Sequence, residues 1–305
     1  RIRVRHAGRA LVLAVALLAA TFEAGAYEPE VHQQLTFLAA KQLTRCAAAG
    51  AIQLSPLEVR RIANSNVGMA DSNFFVRLFR WTYYDPLERE GTSIAWVLNT
   101  RFNDHFRELV RELDEADSTA ARLREFGRIV SYIQLVTSPP RAIPVYAPRF
   151  WRWSFSDRFD AYPLQEAQIE ALLDADCSHL QAVPASYEAI LAETAAETIA
   201  AVQGPIGGLP ATWESFWTLP DERGEFGEYG PAGNVFGRYA EFPCGATAIH
   251  RCVLITDDPA YVDFALGRQL AAVRATARAM LLFEHTAAAG EEPDAPSRKR
   301  EEDAE

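Results

Sequence analysis

The sequence predicts an all-α fold class, a compact multi-helix domain interrupted by one loop-rich segment, and three observations carry that expectation. Long stretches repeat apolar residues at intervals of three and four, few stretches alternate strictly in twos, and Pro or Ser/Thr stands where many of the periodic stretches begin. Six or seven helices are expected in a single domain over residues 27–289, with residues 204–256 as a Gly- and aromatic-rich excursion.

The chain opens with what reads as a secretory signal peptide, residues 1–26. Arg1, Arg3, Arg5 and Arg9 form a basic start, residues 10–20 an apolar run, and Ala24-Gly25-Ala26 a small-residue cleavage site, so that the exported chain begins at Tyr27. The apolar run is shorter than a bilayer-spanning helix requires, and no Cys follows it, so neither a membrane span after cleavage nor a lipid anchor is expected.

Pro29 and Glu30 open a first helix that carries Val31, Leu35, Leu38 and Leu43 to about residue 48. Ser55-Pro56 starts a second, ending near Ala70. A short helix over 73–80 and a loop over 81–91 follow, then a helix over 92–113 with Ile94, Val97, Leu98, Phe102, Phe106, Leu109 and Val110 apolar. Ser118 or Thr119 starts the next helix, whose apolar face holds Leu123, Phe126, Val130 and Ile133, and Pro139-Pro140 stops it. Residues 144–163 read as a loop dense in aromatics and Arg, with helices resuming over 164–176 and 186–202.

From 204 to 256 the texture changes to Gly, Pro and aromatics, which reads as turns with one short hairpin. A last long helix over 258–285 presents Val262, Leu266, Leu270, Val273, Ala277 and Leu281. Residues 290–305, charged and without large apolar side chains, are expected to form a disordered tail.

The formal net charge of the chain is -11, and the leader holds four Arg against one Glu, so the exported part is about -14 by the same count. That balance argues against nucleic acid or an anionic membrane surface as the main partner. Four cysteines in an exported chain allow two disulfides in three connectivities. The favoured pairs are Cys244 with Cys252, closing a short loop, and Cys46 with Cys177, tying the first helix to the middle of the chain; the alternative is buried free thiols. Export places the protein in the periplasm or outside the cell.

The chemistry is concentrated in residues 126–142, FGRIVSYIQLVTSPPRA. Residues four apart share a helix face, and a turn broken by Pro can return a third side chain to it. Ser131, Leu135 and Arg141 occupy those places. The stretch resembles the zinc-ligand helix of the zinc-dependent phospholipase C and single-strand-specific nuclease superfamily, where it reads roughly H-[YFL]-x-x-D-x-x-x-P-x-H. The resemblance puts the family's first His on Ser131, its Asp on Leu135, its Pro on Pro139 or Pro140, and its second His on Arg141.

It extends to other positions. Tyr27 stands where the family has an N-terminal Trp that binds metal through its free amine and carbonyl, and His32 follows at a similar spacing. Asp71 falls where a family Asp is expected. Thr82-Tyr83-Tyr84-Asp85-Pro86 keeps the tail of an H-[FY]-Y-[DN]-P motif while Thr82 replaces its His, and in the last motif Ser156 replaces a His while Asp160 keeps the carboxylate. Tyr27, His32, Asp71 and Asp160 are thus remnant metal-site positions, and Thr82, Ser131, Leu135, Arg141 and Ser156 are replaced ligands. His32 also reads as an ordinary helical His beside Val31 and Leu35.

The resemblance implies a hydrolase scaffold with a degenerate zinc site: no metal or other cofactor is expected, with zinc only if a site has been rebuilt. No catalytic residue is assigned, because no other nucleophile or base motif replaces a metal-activated water. His105, His179, His250 and His285 are isolated and read as surface or satisfied buried residues.

Arg141 has two readings. Its guanidinium could bind a phosphate or carboxylate together with Arg149, Arg152 and Arg158, which alternate with Phe150, Trp151 and Trp153. The preferred reading is an internal salt bridge with Asp71 or Asp160. Three function classes follow: a non-catalytic exported protein that binds a small anionic, lipid or protein partner; a residual metal-dependent phosphoester hydrolase; and a structural envelope protein using 204–256 as its interaction surface.

Overall fold

The computed structural model describes residues 27, 29–47, 54–70, 84, 102–143, 145, 157–174, 176–220, 227–245 and 249–290. Over these residues run eight α-helices and four short strands. Their order is α1 (Pro29–Cys46), α2 (Pro56–Ala70), α3 (Phe102–Asp114), α4 (Thr119–Leu135), α5 (Pro139–Ala142), α6 (Glu166–Asp174), α7 (Tyr187–Gln203), β1 (Trp217–Thr218), β2 (Glu228–Tyr229), β3 (Ala240–Pro243), β4 (Arg251–Leu254) and α8 (Pro259–Gly290). The expected leader, the helix over 73–80, the loop over 81–91 apart from Tyr84, the start of the helix over 92–113, most of the loop over 144–163 and the tail after 290 lie outside the described residues.

Local chemistry explains where the helices begin. Pro occupies the first position of α1, α2, α5 and α8, where its missing N–H would have had no helical partner anyway. Ser55 and Glu58 cap α2 reciprocally, the Ser55 N–H donating to Glu58 Oε2 at 2.8 Å and the Glu58 N–H to Ser55 Oγ at 3.4 Å. Ser118 and Ser186 cap α4 and α7, their hydroxyls accepting from the N–H groups of Ala121 (3.2 Å) and Ala189 (3.1 Å).

The helices pack around α4 and the long α8. Phe126 of α4 stacks on Phe283 of α8 with ring centroids 4.4 Å apart. α2 crosses α4 at Gly127, where a Cβ would meet Ile62 O at 2.5 Å and Ser65 Cβ at 2.6 Å. Only glycine admits two backbones so close. Both favoured disulfides are formed, Cys46–Cys177 and Cys244–Cys252, with Cα atoms 5.6 and 5.7 Å apart. They are consistent with an extracytoplasmic protein, and no helix among the described residues is long and apolar enough to cross a membrane.

Three expectations are corrected. The fold is predominantly helical, compatible with the all-α expectation, but the segment after α7 forms two small antiparallel two-stranded sheets where a single hairpin was expected. β1 pairs with β2, Trp217 opposite Tyr229, and β3 with β4, Phe242 opposite Cys252. Second, α4 ends at Leu135 and Pro139-Pro140 begin the single turn of α5, since Pro suits a helix start as well as a stop.

Third, the 204–256 segment, expected as a loop-rich excursion, contributes to the main core. Trp213, Phe216, Trp217 and Phe236 belong to the same buried core as Tyr27, Phe159 and Phe264. Phe236 packs edge-on to Tyr261 of α8 at 4.8 Å, and Trp213 lies 4.4 Å from Phe264. A polar bond reinforces the join. Buried Asp157 accepts from Trp217 Nε1 at 3.1 Å, from the Tyr229 hydroxyl at 2.8 Å and from the Phe159 N–H at 2.9 Å.

Candidate functional site: a buried polar centre

Tyr27, His32 and Asp160 come together where α1, α4 and the residues after α4 meet the 157–160 turn. Tyr27 lies against His32, ring edge to face at 5.7 Å, and against Phe159 at 6.0 Å. Its hydroxyl is 3.1 Å from Thr137 Oγ1. Thr137 Oγ1 already donates to Gln134 O at 2.8 Å, so Tyr27 is the donor of that pair. Burial raises the Tyr27 pKa well above the ordinary phenol value, with nearby Asp160 adding to the rise against the opposing Thr137 bond. Asp160, on the far side, accepts from Ser138 Oγ at 2.5 Å.

His32 is fully buried, at 0% exposure. Its Nδ1 is 2.7 Å from Gln134 Oε1. That oxygen also accepts from Asn66 Nδ2 at 2.9 Å, which identifies it as the amide oxygen and assigns the His32 proton to Nδ1. Gln134 Nε2 in turn donates to Thr36 Oγ1 and Thr276 Oγ1, both at 3.2 Å. Thr36 Oγ1 also accepts from Asn66 and donates to the His32 carbonyl.

A five-residue network therefore pins α1, α2, α4 and α8 to one another. It leaves His32 Nε2 and Asn66 Oδ1 as buried acceptors with no protein partner. Burial depresses the His32 pKa from 6.5 to about 4; the Gln134 bond opposes this, and the Arg141 charge adds to it, so the ring is neutral at physiological pH.

Ser131, Asp160 and Arg141 are also buried, at 1%, 4% and 8% exposure, with Ser131 Oγ unpartnered, and Leu135 is partly so. Arg141 is held in α5 by its own N–H on Ser138 O (2.9 Å), and its carbonyl accepts from the Tyr84 N–H (3.0 Å). Arg158, by contrast, is exposed, with its N–H on Asn234 Oδ1, so it does not share a buried site with Arg141. Asp71, Thr82, Arg149, Arg152 and Ser156 lie outside the described residues.

The described side chains do not by themselves make a zinc site. A structural or catalytic zinc needs at least three converging His, Cys or carboxylate donors, and among the described residues no three such side chains converge. His32 Nε2 has the right chemistry, but the Arg141 guanidinium bears on it electrostatically and Leu135 offers no donor. Gln134, Asn66, Thr36 and Thr276 are the residues sequence reasoning missed. The available signal was a polar residue on an otherwise apolar helix face, such as Gln134 between Ile133 and Leu135.

Comparison of the chain with protein-family models, curated proteins and solved structures returns no match.

Proposed function

We propose that the chain is an exported, non-catalytic protein of the phospholipase C and nuclease type, whose ligand positions have become a polar core and which acts by binding a small anionic, lipid or protein partner. One observation carries the reading. His32, Ser131, Asp160 and Arg141 are all no more than 8% exposed, and the bonds of His32 and Asp160 run to neighbouring elements of the same fold. Phosphoester hydrolysis on this scaffold would need a metal-activated water reachable by substrate, and an arginine and a leucine stand where the resemblance puts two of the donors.

The test is metal content. The chain should be expressed with its leader, purified from the export compartment without chelator, and assayed for zinc, manganese and iron per molecule and for hydrolysis of a chromogenic phosphodiester. The expected result is far below one metal per chain, before and after zinc incubation, with no chelator-sensitive activity. Near-stoichiometric metal would overturn the proposal.

The unpartnered His32 Nε2 favours a second reading, a residual metal hydrolase rebuilt around Tyr27, His32, Asp71 and Asp160. Under it Asp71→Asn abolishes a chelator-sensitive activity that the first reading says is absent.

A further inference from the structure

We infer that the groove between α2 and the N-terminal half of α4 is a binding site for a phosphate monoester. The inference rests on this groove alone and holds whether or not the family reading does. The groove has a volume of about 450 Å³ and is lined by Arg61, Asn64, Ser65, Gly68 and Met69 of α2, and by Ala120, Arg124 and Arg128 with α4. That volume suits a small organic ligand better than a bare ion.

The groove exists because of how the two helices cross. Contact at Gly127 brings the backbones together, and Ser65 Oγ donates to the Arg124 carbonyl at 2.6 Å, so the helices are clamped at the groove's inner edge. Farther along α2 the lining is open: at Gly68 a Cβ would find nothing within 4 Å. Arg61, Ser65 and Gly68 succeed one another at helical spacing on α2, as Ala120, Arg124 and Arg128 do on α4. Two faces with arginines thus flank an open floor.

The charge balance there runs against that of the whole chain. Three arginines are among the lining residues, against two carboxylates paired with them, Glu125, which is buried, and Glu112, which leaves a local balance of one positive charge. Glu125 accepts from Arg124 Nε and Arg128 Nη1, both at 2.8 Å, and Glu112 lies 3.6 Å from Arg128. These contacts use the Nε of Arg124 and the Nη1 of Arg128, so the terminal nitrogens of Arg124 and the Nη2 of Arg128 are not used in them. Arg61 makes no ion pair among the described residues, and it is exposed.

In a chain of net charge -11, three arginines converging from two helices, with the Asn64 amide beside them, are suited to the several oxygens of a phosphate dianion. Met69 and Ala120 supply apolar surface for a short carbon skeleton attached to it. Glycerol 3-phosphate and the headgroup of phosphatidic acid present the same chemistry.

The test uses the full chain as exported. Calorimetric titration with glycerol 3-phosphate and with inorganic phosphate, at fixed ionic strength, addresses the soluble source, and flotation with phosphatidylcholine vesicles containing phosphatidic acid addresses the lipid. Saturable binding in either arm is expected, roughly tenfold weaker in Arg61→Gln and again in Arg124→Gln. Both side chains are exposed, so both variants should fold, as circular dichroism would verify. Binding to glycerol 3-phosphate identifies a soluble ligand, and binding to vesicles alone identifies the lipid. No saturable binding in either arm, or binding unchanged in the double variant, overturns the inference.

Discussion

The carboxylate of Asp157 makes a quantitative prediction about how the aromatic segment is held. Its three donors come from Trp217 and Tyr229 in β1 and β2 and from the turn at Phe159. A hydrogen bond to a charged group contributes about 1.5–3 kcal/mol, and the three are coupled through one side chain, so Asp157→Ala should cost roughly 4–6 kcal/mol. Part of that cost is the buried Trp217 N–H left without an acceptor. Stabilities of whole domains are about 5–15 kcal/mol, so the alanine variant sits near the edge of folding.

Asp157→Asn is the sharper perturbation. It keeps one oxygen acceptor and turns an NH2 group toward either the Phe159 N–H or the Trp217 and Tyr229 donors, so about 2–3 kcal/mol is expected. Urea unfolding of the disulfide-intact protein, followed by Trp fluorescence and near-ultraviolet circular dichroism, would measure both. An Asp157→Asn variant within about 0.5 kcal/mol of the native chain would refute the reasoning, since ordinary surface changes have effects of that size.

Other outcomes follow from the same geometry. The His32 pKa is depressed from 6.5 to about 4, so the unfolded chain takes up this proton first; the associated stability is fully present above about pH 6.5 and is lost as pH falls through 4. A pKa difference of this size corresponds to about 3 kcal/mol, so urea unfolding from pH 7 to pH 4 should show native stability falling relative to His32→Gln by that order. Gly127→Ala drives a methyl into the Ile62 carbonyl and the Ser65 Cβ and should cost about 1–3 kcal/mol. Gly267→Ala, whose Cβ would meet nothing within 4 Å in the middle of α8, should stabilise by up to about 1 kcal/mol in the same melts. Removing Cys46–Cys177, which spans 131 residues, should cost about 5 kcal/mol against about 2.5 kcal/mol for Cys244–Cys252, which spans 8.

The helical body was legible because its signals are local. Pro29, Pro56, Ser118, Ser186 and Pro259 each mark a helix start by chemistry that acts within one turn, and α1, α2, α4, α7 and α8 begin at or beside them. The disulfide pairs were legible because four cysteines leave few pairings. β1 and β2 were not: each has two residues, too few to show a period of two. Nor does spacing along an irregular turn tell which of Asp157 and Asp160 will meet two aromatic donors some 60 and 72 residues away. The network of His32, Thr36, Asn66, Gln134 and Thr276 escaped for a related reason. Each member is a single polar residue on an apolar face, and only the packing of four helices makes them one feature.

That network bears on where function can reside. A buried polar cluster is costly where its members go unsatisfied, as His32 Nε2 and Asn66 Oδ1 do here, and where they are satisfied it rigidifies and specifies the packing. Here Gln134 alone accepts from two side chains and donates to two more, which fixes the relative register of α1, α2, α4 and α8. His32 is fully buried with the Tyr27 ring 5.7 Å from its own, so a ligand could reach its Nε2 only by displacing packed side chains. Ligand binding at the surface requires no such loss. The rigid interior instead holds α2 and α4 at a fixed crossing, and that crossing sets the distance between the arginines on their outer faces.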